Sequence, residues 1–559
     1  MPRSLRYQAT CLMLLLAGGS AWAQTPLVGD DPETLRTQWL ASAVARVTPQ
    51  RPLDISGLSA GLLSVSRDAA SPWMPLIHGL GQGSTTLGQG VILSGSKVLD
   101  GWEVSATGTG LRDFDSRMTR ARLLEFALVK HTAWGWRWGL EKKPFQWGYG
   151  LFGGYLIGDS SDPVPRLVLE SPSANLSLFG VPLGAWGFDT FLGQLEWDRR
   201  IPTWISNPHA MQEAFASQGD LRRPNLSGLR LKAAFGPHVD MNFALVSKWG
   251  GVDASGRNIM QGLSAWNYPL AYLGAENIAV AEATGNSQDP NAGNRFTPNS
   301  SYHNLSNALA DVEVRVRFPE TAARWFGAKG LAVYLSRGAA NVNWQWKDFL
   351  KRPFSAWSHD LRFVGKKLSN RDLTGSNPDS LWGWAYAQSA PGLVHINDKL
   401  GAQWVFDRWD LGIELADLHN QVYPDSTFRA YGNGRVLSGH SRFGDSLGEP
   451  LGGEVYQQGF NLGMKLPHEG QLRFSCLDAI RFYRDSPLTS TTFVPGVDDH
   501  FFHVQLEAQW LLAAARIGGS LALERHRADQ FIPGNRKSNW ILSLGYAVPL
   551  FQNPPAGSR

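Results

Sequence analysis

The sequence predicts an all-β chain, a transmembrane antiparallel β-barrel of about eighteen strands with a short N-terminal periplasmic helical element. Three observations predict it. Segments of about ten residues alternate apolar and polar side chains, as a strand must when one face meets lipid and the other a polar lumen. Short and long connections between these segments alternate strictly. The composition is also unlike that of an average soluble enzyme, with 18% charged residues, 60 Gly and 23 Trp among 559 residues.

The N-terminus carries Arg3 and Arg6, then an apolar run from Cys11 to Ala17, then Ala21-Trp22-Ala23 ahead of Gln24. That order is the pattern of a cleaved export signal covering residues 1–23. The run is too short to span a bilayer, and no later stretch approaches the ~20 apolar residues of a transmembrane helix. Cleavage at Ala23 leaves Cys476 as the single thiol, so no disulfide forms within the mature chain.

Residues 24–80 are read as the periplasmic N-terminal segment. Asp31-Pro32-Glu33 has the features of a helix start, and Leu35, Trp39, Leu40, Ala43, Val44 and Val47 follow at helical spacing until Pro49. The amphipathic stripe packs on the periplasmic rim, or serves as a plug or a dock for a partner.

The barrel is assigned to 81–551 and a C-terminal tail to 552–559. Trp134, Trp136, Trp138 and Leu140 form one face against Arg137, Gly139 and Glu141. Val312, Val314, Val316 and Phe318 oppose Asp311, Glu313, Arg315 and Arg317. Phe502, Val504, Leu506, Ala508 and Trp510 oppose His503, Gln505, Glu507 and Gln509, and Leu229, Leu231, Ala233 and Phe235 oppose Arg230 and Lys232. Each alone would also suit a half-buried strand of a soluble sandwich; the loop alternation favours the barrel. Short connections fall near His131 to Ala133, Gly236 to His238, Asp407 to Asp410, Pro467 to Gly470 and Leu512 to Ala514. Long polar stretches run from Gly250 to Asn307, Lys347 to Lys399 and His419 to Gln458. About seventeen strands can be placed from Thr86 onwards, and the even count of bacterial barrels requires one more. It is expected at Ala60 to Ser66 or at Phe152 to Ile157. The last strand, Trp540 to Leu550, ends at Phe551, similar to the C-terminal signal of outer-membrane proteins except that eight residues follow.

Chemistry is sparse. Gly57-Leu58-Ser59-Ala60-Gly61 matches a nucleophile elbow, but it precedes strands where the motif needs a strand-to-helix turn. The 13 His residues show no zinc-ligand spacing, and no cofactor is expected. A net charge of +4 without a basic arm gives no reason to expect nucleic acid as a partner. Trp344 and Trp346 suit an interfacial aromatic girdle better than a sugar platform.

From Lys143 to Leu169 the sequence resembles the Wzi family of capsule assembly proteins. Trp147, Gly148 and Gly150 match its Trp-Gly-x-Gly element, and Asp162-Pro163-Val164-Pro165 stands where the family has a polar, Pro-containing lead into the next strand. Leu183-Gly184-Ala185-Trp186 and Gly193-Gln194-Leu195-Glu196, with Arg199 and Arg200, resemble the strand pair that follows; Ser227 to Arg230 and Ala308 to Asp311 extend the likeness. Gln146 departs from it, standing where the family often has a second Trp, and the loops are longer than usual. The resemblance implies a surface lectin that retains capsular or extracellular polysaccharide. Its partners would be that polymer, outer-membrane lipid and lipopolysaccharide, and the barrel assembly machinery. Lumen-directed Arg137, Glu313, Arg315 and Arg317 are the candidate polysaccharide-binding residues, since Arg pairs with acidic sugars. A porin-like diffusion channel and, less favoured, an outer-membrane enzyme are the competing readings.

Overall fold

The computed structural model describes residues 57–67, 87–113, 119–158, 161–179, 181–197, 222–252, 307–340, 395–418, 455–467, 470–481, 497–512 and 515–552, with short pieces at 258–259, 265–266, 428–429, 432–433, 441–442, 445–448 and 451–453. The export signal, the amphipathic stripe of residues 35–47, and Trp344 and Trp346 lie outside them.

Among the described residues one antiparallel sheet dominates. Its strands are β1 (Gly57–Arg67), β2 (Leu87–Leu99), β3 (Trp102–Asp113), β4 (Thr119–His131) and β5 (Arg137–Lys142). Next come β6 in two pieces (Arg166–Glu170 and Ala174–Leu178), β7 (Val181–Gln194), β8 (Asn225–Phe235), β9 (Val239–Trp249) and β10 (Asn307–Phe318). There follow β11 (Gly330–Ala340), β12 (His395–Val405), β13 (Trp409–Asp417) and β14 (Val455–Leu466). The last are β15 (Gly470–Arg481), β16 (Asp499–Leu512), β17 (Ala515–His526) and β18 (Lys537–Gln552). Both pieces of β6 pair with β7, so the two count as one strand, and the total is eighteen. Each strand pairs with the next, and β1 pairs with β18 from Gly57↔Gln552 to Arg67↔Ile541. The ladder thus returns on itself and leaves no terminal edge strand to be protected.

Side-chain direction follows the pleat. On β10 the even-numbered Val312, Val314 and Val316 face out, while Asp311, Glu313 and Arg315 are buried. Leu506 is 44% exposed beside a 4% exposed Gln505, and Leu544 is 55% exposed. An apolar exterior around a charged interior inverts a soluble protein, and only a hydrocarbon exterior with a polar lumen makes it stable.

The sheet has two unlike ends. One carries the short connections. Asp100 and Gly101 both have positive φ, as a two-residue hairpin turn between β2 and β3 requires. The β8–β9, β12–β13 and β14–β15 turns are three residues each, and the longest connection at this end, between β10 and β11, holds α1 (Glu320–Arg324). Aromatic residues ring this end: Trp102 packs edge-on against Trp138 at 5.3 Å, Phe406 stacks on Trp409 at 3.4 Å, and Trp325 stands 86% exposed. Such a belt marks a membrane–water interface. In an outer-membrane barrel the short-turn end faces the periplasm.

Three expectations are corrected. The missing strand is β1, at the first of its two expected places, but the barrel therefore begins at Gly57, inside the segment assigned to the N-terminal element, and not at residue 81. Phe152 to Ile157 is no wall strand; it lies within the β5–β6 connection. Leu183 to Trp186 lies in β7 and Gly193 to Glu196 runs through its end, so these form one strand and not a pair. Ser59 of the G-x-S-x-G match sits in mid-strand, paired with Ser94 and Pro549, not at a turn into a helix.

Candidate functional site: a loop that crosses the lumen

The connection between β5 and β6 folds inward. Of its residues, Trp147, Tyr149, Leu151, Phe152, Tyr155, Leu156 and Ile157 are buried and form the centre of the main apolar cluster. Local geometry makes a compact finger: Trp147 N–H donates to Ile157 O at 3.1 Å, and the Gln146 amide donates to Gly150 O at 2.8 Å. Glycine is required here. Gly148 has φ +113° and any Cβ on it would strike Glu313; one on Gly150 would meet Gly153 O.

The root of the finger is tied down by charge. Arg166 donates to Lys143 O at 2.9 Å and pairs with Glu141, which also pairs with Arg137. Lys142 reaches Asp162 at 3.3 Å and donates to Leu123 O at 2.8 Å. The tip reaches the far wall. Tyr149 N–H donates to Glu313 at 3.1 Å on β10. Leu151 N–H donates to Glu414 at 2.7 Å on β13, and the Tyr334 hydroxyl of β11 donates to the same carboxylate at 2.6 Å. Lys399 of β12 donates to Gly153 O at 2.6 Å, and Gly158 N–H to Leu447 O at 2.6 Å. A Cβ on Gly459 of β14 would lie 2.6 Å from the Phe152 ring. In a ring of eighteen strands β14 stands nine places from β5, diametrically opposite, so the finger spans the lumen.

Wall glycines form its seats. A Cβ on Gly338 would strike the Tyr155 ring, one on Gly228 would strike Phe191 and come within 2.7 Å of Trp147, and one on Gly412 would sit 2.6 Å from Leu151. Rings and wall are thus fitted at van der Waals distance, with buried polar groups of the finger bonded to wall carboxylates. The arrangement can hold a fixed internal surface across the barrel.

The four residues singled out from sequence all face the lumen, but they do not form one site. Arg137 lies on β5 beside Glu170, at 2.6 Å. Glu313 holds Tyr149 and also accepts from Asn242 at 3.3 Å. Arg315 donates to Asp240 at 3.0 Å and lies 4.5 Å over the Tyr149 ring, and Arg317 joins the same Asp240 at 2.6 Å. Sequence reasoning missed Tyr334, Lys399, Glu414 and Asp240, whose roles depend on a partner up to 263 positions away. The one signal available was the run Trp147 to Tyr155, too aromatic for a surface loop and too rich in Gly for a strand.

Barrel, aromatic belt and charged lumen together define a bacterial outer-membrane β-barrel. Its fold is similar to that of Wzi of Escherichia coli, an outer-membrane protein involved in group 1 capsule assembly and a carbohydrate-binding β-barrel. The two are 13% identical over 93% of this chain and 88% of that one, with a TM-score of 0.52. OprD of Pseudomonas aeruginosa matches at 10% identity over 89% of this chain and 96% of that one, TM-score 0.41. No family model matches the sequence, and no curated protein matches it.

Proposed function

We propose that this chain binds capsular or extracellular polysaccharide at the cell surface and organises it there, as a lectin-like barrel without catalytic chemistry of its own. The observation that carries this reading is the finger across the lumen. A diffusion channel gains from an unobstructed bore, whereas here seven buried apolar side chains and the wall carboxylates of Glu313 and Glu414 hold an obstruction in place. The fold similarity to a carbohydrate-binding barrel supports the same reading. In this account the chain is exported through a cleaved signal at residues 1–23. The barrel assembly machinery inserts it, and its apolar face meets outer-membrane lipid and lipopolysaccharide.

The channel reading draws on one feature, the charge pairs that line the inner wall, such as Asp240 with Arg315 and Arg317. The test is capture of the host's labelled surface polysaccharide by the purified barrel in lipid nanodiscs. Saturable capture is the expected result. No capture, together with steady ion conductance in planar bilayers, would replace the lectin with the channel.

A further inference from the structure

A second candidate site lies at the root of the finger. There the finger and the walls of β5 to β8 border a half-open cavity of about 190 Å³. Arg137, the first residue of β5 after a periplasmic turn, and its register partner Glu170 line it, so it lies on the periplasmic side of the finger. Its volume equals that of about six water molecules at roughly 30 Å³ each, the scale of one sugar ring.

Two features distinguish it from a water-filled stretch of lumen. Its floor is aromatic: Phe145, Trp147 and Phe191 meet edge to face at 5.1 to 6.0 Å. Its rim is a preformed array of donors and acceptors. Arg137 bonds Glu170 at 2.6 Å, and Arg230 donates to Asp189 at 2.8 Å while lying 5.3 Å from the Trp147 ring. Glu170 and Arg137 keep 37% and 20% of their side chains exposed, so each retains capacity for a further partner. Half of its lining residues are charged and three are aromatic, so it offers a mainly polar surface with one apolar side, which suits the hydroxyls and the C–H face of a sugar. The other charged lining residues are also matched, Arg166 to Glu141 and Lys143 to Glu103 beyond the lining, so the four cations meet four carboxylates, which suits hydroxyl groups and gives an anion little advantage.

We infer that this cavity binds one neutral pyranose unit, its hydroxyls bridging the Arg137–Glu170 and Arg230–Asp189 pairs and its apolar face toward the aromatic floor. The inference rests on the carbohydrate-binding reading and adds a site on the opposite side of the finger from the cell surface. Because Trp147 belongs to the finger, an occupied cavity also clamps the finger to the wall.

The test is saturation-transfer NMR and calorimetry on the full chain in detergent, with methyl glycosides of glucose, galactose and mannose. One of them should bind in the millimolar range, unaffected by salt up to 1 M. Glu170→Gln keeps a hydrogen bond to Arg137 but replaces a charged acceptor, and affinity should fall about tenfold. Arg230→Gln is the second variant; heat-modifiable gel mobility verifies that both are folded. The site is refuted if no glycoside binds, if both folded variants bind like the parent, or if binding is abolished by salt, which would mean an anionic ligand. Polymer capture in nanodiscs separates the two ideas. Capture without glycoside binding removes this cavity alone; glycoside binding without capture removes the surface role and leaves the cavity.

Discussion

Replacing Gly338 by Val tests whether the finger is held by its seats. The new Cβ would clash with three ring atoms of Tyr155, so the ring must leave. Val is favoured in strands, so the wall itself is not weakened. Tyr155 is 2% exposed when seated, and withdrawing such a side chain from an apolar seat costs ~2 kcal/mol. That shifts the ratio of seated to released finger about 30-fold. Single-channel recording in planar bilayers reads this directly: the parent should open rarely, and G338V about 30 times more often. Gly110→Ala, where a Cβ meets nothing within 4 Å, is the control and should match the parent. Identical recordings from parent and folded G338V would show that the finger does not govern passage through the lumen.

Three further outcomes follow from the same structure. Glu414→Ala removes the acceptor of Leu151 N–H and Tyr334 and the carboxylate 3.7 Å from buried Lys399, at a cost of about 3 kcal/mol; the temperature at which the folded band is lost on a gel should fall clearly. Leu506→Arg puts a charge on the lipid face near mid-strand and should cost ~2–4 kcal/mol and impair insertion, whereas Glu507→Arg on the lumen face should insert normally, as folding into vesicles would show. Asp240→Asn frees Arg315 and Arg317 from their shared carboxylate, so binding of an acidic polysaccharide should strengthen at low salt and lose that gain at high salt.

The wall was legible because its physics is local. Period-two alternation on β10 and β16, and turn signals at Gly236 and Pro467, follow from which side of each residue meets lipid. β1 could be offered only as one of two alternatives, at Ala60 to Ser66, because its Gly, Ser and Ala residues blur the apolar face, and what defines it is pairing with β18, almost 500 residues distant. The finger was misread for the opposite reason. Phe152 to Ile157 is apolar enough to pass for a strand, but its rings Phe152 and Tyr155 are seated on Gly459 and Gly338, which sequence does not place beside it. Likewise Arg315 and Arg317 announced a charged lumen, yet their common partner Asp240 lies on a different strand.

Surface retention is read from the ratio of cell-bound to shed polysaccharide in a strain lacking this chain, beside its parent. Polymer that is still made but accumulates in the medium, and returns to the surface when the gene is restored, is the predicted result. An unchanged ratio, with the polymer still cell-bound, would contradict surface retention as the function.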